Sequence, residues 1–264
     1  MSAITVDIAD GIATITLNRP KSLNAVTKED YDAFANALRD IDKREDVLIT
    51  VWQGRWFCAG TDVKARSPTD TQSTIGNVRN SFKSNVVSTT TDCGKALYSH
   101  RKILVAALNG PVMAFLGYFD FIYALPNAWL STPFTYLGIV AEGGASVSFI
   151  NRMGLGRANE VLIWGKRKTA QELLDCGFIN KIFPEQPVNS FHAAIRQTLL
   201  DELHGLDPTA VLVMKQLIRA GLNDKNDPDA VNLRESYAQA ERFASGIPAK
   251  QFARIARKEI KHKL

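Results

Sequence analysis

Apolar and polar residues alternate with period two at the start of the chain. Ile4-Thr5-Val6-Asp7-Ile8 and Ile12-Ala13-Thr14-Ile15-Thr16-Leu17 read as two strands, and Asp10-Gly11 between them is a pair suited to a tight hairpin turn. The period then becomes helical. Tyr31, Phe34, Leu38 and Ile41 fall on one face, Thr27 stands at the N-cap position, and Asp30 three residues on completes a capping box. Val47 to Trp52, Ile103 to Leu108 and Phe121 to Leu125 are short apolar runs ending at Gln53-Gly54, Asn109-Gly110-Pro111 and Pro126-Asn127. Each predicts a buried strand closed by turn residues. Ser67 to Lys102 is polar and Ser/Thr-rich at first, then helical in pattern.

From Gly156 onward helical periodicity dominates. Ala170 to Asp175 predicts a short helix stopped by Gly177, and Phe178 to Phe183 a short strand stopped by Pro184. Longer helices are predicted over Asn189 to His204, Thr209 to Ala220 and Asp229 to Ala244, and Pro248 opens a basic one that runs to the end. Strands separated by helices early and helices alone later predict an α/β fold with a parallel-sheet core over residues 1–187. A helical C-terminal region over residues 188–264 is suited to packing against another subunit.

The chain has 264 residues, 45% of them hydrophobic and 22% charged, which excludes a disordered or low-complexity protein. The longest apolar run, Ile103 to Leu108, is far shorter than the roughly 18 residues of a membrane span. Met1 to Ile8 carries no secretory pattern. Cys58, Cys93 and Cys176 have unrelated spacings, so neither a disulfide framework nor a zinc site is indicated, and the inside of a cell is the expected compartment. The net charge is +5, but Lys250, Arg254, Arg257, Lys258, Lys261 and Lys263 face only Glu259 in the last twenty residues. The excess therefore sits in the tail. A neutral body argues against nucleic-acid binding, because phosphate neutralisation supplies most of that affinity.

Four segments at strand ends are the candidates for chemistry. Arg19-Pro20-Lys21-Ser22-Leu23-Asn24-Ala25 is a loop after the second strand, read by itself as a connector capping the next helix. Phe57-Cys58-Ala59-Gly60-Thr61-Asp62 is small around its Gly, which lets a backbone N–H approach an anion; a tight turn is the plainer reading, and no histidine is an evident base for Cys58. Asn109-Gly110-Pro111-Val112-Met113-Ala114-Phe115 turns from a strand end into a helix start with unpaired N–H groups. Leu137-Gly138-Ile139-Val140-Ala141-Glu142-Gly143-Gly144 sets one carboxylate among apolar residues. An exposed turn Glu is the ordinary reading, whereas burial would raise its pKa and make it a general base.

Taken in order, these segments with Asn18-Arg19-Pro20 and Asp120-Phe121-Ile122-Tyr123 resemble the crotonase superfamily, the enoyl-CoA hydratases and isomerases, over nearly the whole chain. The resemblance implies a ββα spiral core with a helical C-terminal trimerisation region. It also implies an acyl-CoA substrate, so that coenzyme A belongs to the substrate and no separate cofactor is needed. Two backbone N–H groups, at Thr61 and Phe115, are implied to hold the thioester oxygen. Lys21, Leu23, Asn24 and Ala25, with Ala59, Thr61 and Asp62, are implied to line the CoA site.

Carboxylates divide the family. Hydration needs one group to activate water and another to deliver a proton. Phe134 follows Pro133 where hydratases resemble one another in carrying a Glu, and Glu160 aligns with the second acid. Glu142 falls where fungal peroxisomal Δ3,Δ2-enoyl-CoA isomerases carry their single base, and Ile139 to Gly144 is similar to that pattern. The resemblance therefore implies a shift of a C3–C4 double bond to C2–C3 by Glu142. The alternatives are a hydratase or dehydratase of a specialised acyl-CoA in fungal secondary metabolism, using Glu142 with Glu160, and a weakly active or inactive CoA-binding paralogue. His262-Lys263-Leu264 resembles a peroxisomal address read by an import receptor. One departure stands out: only Ala114 to Phe119 separates Met113 from Asp120, about one helical turn fewer than in relatives. A homotrimer or hexamer is the implied assembly.

Overall fold

The hairpin forms as the alternation predicts. β1 (Ile4–Ala9) pairs antiparallel with β2 (Ile12–Leu17), and Asp10 and Gly11 take φ values of 50° and 73° between them. Both residues of a type I′ turn need positive φ, which Asp tolerates and Gly adopts freely. The computed structural model describes residues 3–55, 57–58, 60–61, 75–112 and 114–261.

α1 (Lys28–Asp42) begins at Thr27 with the capping box intact: Thr27 accepts from the Asp30 N–H, and Asp30 accepts from the Thr27 N–H. Asp30, fully buried, also accepts from the Ala3 N–H at 2.9 Å and pairs with Arg19 at 2.7 Å. The chain continues through β3 (Ile49–Gly54) to α2 (Val78–Ser81), a π-helical stretch (Phe82–Thr91) and α3 (Asp92–Tyr98). β4 (Ile103–Leu108) and β5 (Pro111–Val112) lead to a 3-10 helix (Ala114–Tyr118) and β6 (Phe121–Ala124). β7 (Trp129–Leu130), α4 (Phe134–Leu137), α5 (Ala145–Leu162), β8 (Lys168–Thr169), α6 (Ala170–Asp175) and β9 (Lys181–Ile182) follow. The remainder is helical: α7 (Val188–Leu203), α8 (Pro208–Lys225), α9 (Pro228–Ala244) and α10 (Ile247–Ala256).

Among the described residues the main sheet runs β1-β2-β3-β4-β6-β9, parallel from β2 onward, and β5-β7-β8 form a second, small sheet. β4 is buried along its whole length because both faces are covered, which is why it reads as a continuous apolar run. Leu104, Ala106 and Leu108 join the large cluster with α1 and α5, while Ile103, Val105 and Ala107 point the other way. Phe191, Ile195 and Leu199 of α7 cover that second face. The helical C-terminal region thus begins by closing the sheet. The strand predicted over Phe178 to Phe183 shrinks to β9, and α8 extends past Ala220 to Lys225. None of the helices among the described residues is long and apolar enough to cross a membrane.

His100 sits in this packing with its Nε2 2.9 Å from Thr50 Oγ1. Burial first, and the Lys215 charge second, push its pKa down to about 4. The unfolded chain, with an ordinary imidazole near 6.5, binds a proton between those values that the folded chain does not. Stability is therefore fully present above pH 6.5 and declines as pH falls toward 4, by an expected amount on the order of 3 kcal/mol. Thermal melts across that range check this. His100→Gln is expected to flatten the slope in part, since burial holds His192 down to about 4 as well.

Candidate active site

The loop after β2 is shaped by Asn24. A short 3-10 turn (Pro20–Ser22) leads into Leu23 and Asn24, both left-handed, with φ of 51° and 58°. Asn tolerates that conformation because its amide can bond locally. Here Asn24 Nδ2 donates to the Leu17 carbonyl at 2.9 Å and Oδ1 accepts from the Arg19 N–H at 2.6 Å. Asn24, expected from the resemblance at the CoA surface, is instead fully buried and spends its side chain on the loop itself. Lys21 and Leu23 are exposed and Ala25 half-buried beside them.

Three contacts bring the first three segments together. The Val26 N–H donates to the Gly60 carbonyl at 2.9 Å, within a parallel bridge between Val26 and Thr61. In that bridge Thr61 presents its own N–H to the side away from Val26. The Cys58 N–H donates to the Pro111 carbonyl at 3.3 Å, and Asn109 Nδ2 donates to the carbonyls of Gly54 and Arg55, each at 2.8 Å. The turns after β3 and β4 are therefore stitched side by side. Ala59 and Asp62 lie outside the described residues, as do His262, Lys263 and Leu264. Burial pushes the Cys58 thiol up to about 12, so it is no nucleophile at neutral pH.

The shortened segment after Pro111 forms the five-residue 3-10 helix Ala114–Tyr118 rather than an α-helix. Phe115 precedes its first i→i+3 bond, so no carbonyl within the helix can accept from the Phe115 N–H. The Phe115 ring is buried against Gly143, where an added Cβ would stand 2.5 Å from Phe115 Cδ1. It also meets Tyr31 edge-on, with ring centroids 6.3 Å apart.

Tyr31, a core residue of α1 by periodicity alone, links the group. Its hydroxyl lies 2.8 Å from Thr61 Oγ1. Burial, and then the Glu142 charge, raise its pKa well above the ordinary value, so it stays a neutral phenol. Glu142 is half-buried in the turn before α5, and its Oε2 accepts from Gln239 Nε2 at 2.8 Å. Thr61 and Phe115, far apart in sequence, thus both contact Tyr31, and the Glu142 charge acts on it.

Gly144, the residue before α5, has φ 73°, and a Cβ there would lie 2.0 Å from the Tyr118 hydroxyl. No side chain of α5 caps its own start. Glu235 of α9 does so from outside, accepting from the Gly144 N–H at 2.7 Å and the Ser146 N–H at 2.9 Å. Burial raises the Glu235 pKa. With both oxygens taken by backbone N–H groups, Glu235 is a cap rather than a proton shuttle.

Glu160 does not join this cluster. It lies near the far end of α5 from Glu142, across a break at Gly154, with Lys166 Nζ at 2.7 Å and Lys168 Nζ at 2.6 Å. Those two lysines hold its carboxyl down to about 2, which makes it a poor proton donor near neutral pH. Both its place and its pairing weigh against Glu160 as a second acid. Glu160→Gln is expected to change turnover by less than about twofold, as steady-state kinetics will read. A large cavity of about 970 Å³ lies on the α8 side of Gly144, between Tyr118, Arg152 and Arg219, but Glu142 does not line it. Among the described residues no cluster of His, Cys, Asp or Glu is arranged to hold a metal ion.

Sequence reasoning missed Tyr31, Glu235 and Gln239. A signal existed for the last two: Asn232, Glu235, Ser236 and Gln239 recur at helical spacing as a polar stripe, and all four are buried.

The comparisons with known proteins give the family and the fold. The chain is 35% identical to a Delta(3,5)-Delta(2,4)-dienoyl-CoA isomerase of Pyricularia oryzae, with 100% of each protein covered. It is 30% identical to the 3,2-trans-enoyl-CoA isomerase of Saccharomyces cerevisiae, over 95% of this chain and 92% of that one. Its fold matches a crystal structure of an enoyl-CoA hydratase/isomerase from Pseudoalteromonas atlantica with a TM-score of 0.82, at 24% identity and with 100% of both chains covered. The sequence pattern described as Enoyl-CoA hydratase/isomerase spans residues 7–254, and the chain belongs to that family.

Proposed function

We propose that the protein moves the double bond of a 3-enoyl-CoA thioester from C3–C4 to C2–C3. The observation that carries this reading is Glu142, a carboxylate near Tyr31, Phe115 and the half-buried Thr61, with no second acid among the described residues in a position to shuttle protons. Glu142 removes a proton from C2, and the electron pair delocalises into a dienolate whose negative charge rests on the thioester oxygen. The N–H groups of Thr61 and Phe115 stabilise that oxygen, each by on the order of 3 kcal/mol. The protonated Glu142 then returns the same proton to C4. One group serves as base and acid in turn, so nothing is consumed. Lys21, Leu23 and Ala25, on the exposed rim of the loop bonded to the Gly60 turn, receive the nucleotide end of CoA, and Ala59 and Asp62 continue that site.

Hydration is disfavoured because Glu160 is locked between lysines and Glu235 is saturated by backbone N–H groups. A second reading follows the name of the Pyricularia relative: a 3,5-dienoyl-CoA converted to the 2,4-dienoyl form, which requires proton delivery to C6, twice as far along the acyl chain as C4. Spectroscopic assays on 3-enoyl-, 3,5-dienoyl- and 2-enoyl-CoA separate the cases. Double-bond migration in the first substrate supports the reading, turnover of only the second replaces it, and hydration of the third without migration overturns it. The exposed apolar residues Met214, Leu217 and Ile218 of α8 support a homotrimer or hexamer, and the His262-Lys263-Leu264 ending supports delivery to the peroxisome by its import receptor.

A further inference from the structure

We infer that Gln239 of α9 is the positioning residue for Glu142, a single amide that clasps both the carboxylate and the backbone of the turn carrying it. This inference rests on Glu142 acting as the base. The orientation of the amide follows from its partners. The Val140 N–H needs an acceptor and finds Gln239 Oε1 at 3.2 Å, which leaves Nε2 to face Glu142 Oε2 at 2.8 Å. Gln239 is 1% exposed, so water does not compete for either bond.

The rest of the buried face of α9 fixes where Gln239 stands. One turn earlier Glu235 holds the Gly144 and Ser146 N–H groups, so the turn is gripped on both sides of Glu142 by residues four apart on one helix. Ser236 Oγ lies 2.7 Å from Thr91 Oγ1, and Asn232 Nδ2 donates to the Thr91 carbonyl at 2.9 Å. Thr91 ends the π-helical stretch, directly before α3. On the opposite side of the turn Arg242 Nε donates to the Gly138 carbonyl at 2.8 Å. A polar stripe on the buried side of a helix costs desolvation unless every group is paired. Here the pairing delivers one product, a carboxylate held at a set angle beside Tyr31.

An N–H donor aimed at a carboxylate favours its charged form, which is the form a base requires. Tyr31 from α1, a neutral phenol, feels the Glu142 charge. On α9, Glu235 one turn before and Arg242 one turn after Gln239 bond the Gly144 and Gly138 ends of the same turn, and Cys58, a protonated thiol from the turn after β3, lies within electrostatic reach of Tyr31.

Two variants and two readouts test the inference. Gln239→Leu removes both bonds. Gln239→Glu keeps the volume and the acceptor for Val140 but sets a second carboxylate against Glu142. For Gln239→Leu kcat is expected to fall about 10²-fold with KM within about twofold, because a misaimed base loses rate rather than binding. The acid limb of kcat is expected to move up by about one pH unit, and further in Gln239→Glu. Carbon NMR of side-chain carboxyls, with the Glu142 signal assigned from its loss in Glu142→Gln, reads the same displacement without turnover. If the Glu142 titration midpoint stays in place in both folded variants, the inference is overturned, even where kcat falls. If the wild type turns over no enoyl-CoA while the midpoint moves, the clasp stands and the isomerase reading fails.

Discussion

Glu142→Gln is expected to lower kcat for double-bond migration by about 10³- to 10⁴-fold while leaving thioester binding within a fewfold of wild type. The carboxamide has the shape of the carboxylate, so the turn before α5 and its bond region with Gln239 are retained in outline. What is lost is proton affinity. An amide can neither take the C2 proton nor hold it for C4, and Tyr31, kept protonated by burial alone once the Glu142 charge is gone, offers no basic oxygen in its place. Calorimetric titration with a non-reacting CoA thioester, beside a spectroscopic rate assay, separates the two effects. Retention of more than about a tenth of the rate would assign the proton chemistry to another group.

The largest stability effect is expected at Asp120, which is not a catalytic candidate. Asp120 accepts from the Leu104 N–H at 2.8 Å and pairs with Lys215 at 2.8 Å and Arg219 at 2.6 Å. Lys215 is buried, and burial pulls its pKa down while Asp120 counters the fall. Asp120→Ala would strand both cations and orphan a backbone N–H in one step. Breaking such a buried cluster from the acidic side costs about 3–5 kcal/mol. For a chain of this length that is roughly 10 °C in melting temperature. Asp120→Asn, which retains an acceptor for Leu104, is expected to lose less. Glu259, in an exposed pair with Arg257, serves as the control, and its substitution is expected to leave the melt unchanged.

The sheet and most helices were legible because their signals are local. Period two in β1 and β2, the Thr27–Asp30 box and the buried run of β4 each follow from neighbours a few residues apart. The turns bearing Thr61 and Phe115 were legible as strand-end segments and the resemblance named their order, whereas Glu142, read the same way, lies in a turn between two helices, α4 and α5. The burial of Asn24 was not legible, because a left-handed backbone turns its amide inward and no composition or spacing announces that. Glu160 looked available because its partners Lys166 and Lys168 come from beyond the end of α5 and meet it only in the fold. Tyr31 hid among core positions, since a phenol satisfies a helix's apolar face while its hydroxyl serves something else. The last helices read together as a surface for another subunit, and nothing in that reading announced that α9 also turns a buried polar stripe toward its own chain.

The external cap on α5 carries a consequence for biosynthesis. Residues 4–182 supply every strand among the described residues, while the turn at 140–146 takes bonds from side chains at 235 and 239. Those bonds wait until nearly all of the polypeptide has left the ribosome. On the proposed reading, a nascent chain would have its sheet before the clasp on residue 142, and reactivity would be the last property that synthesis confers.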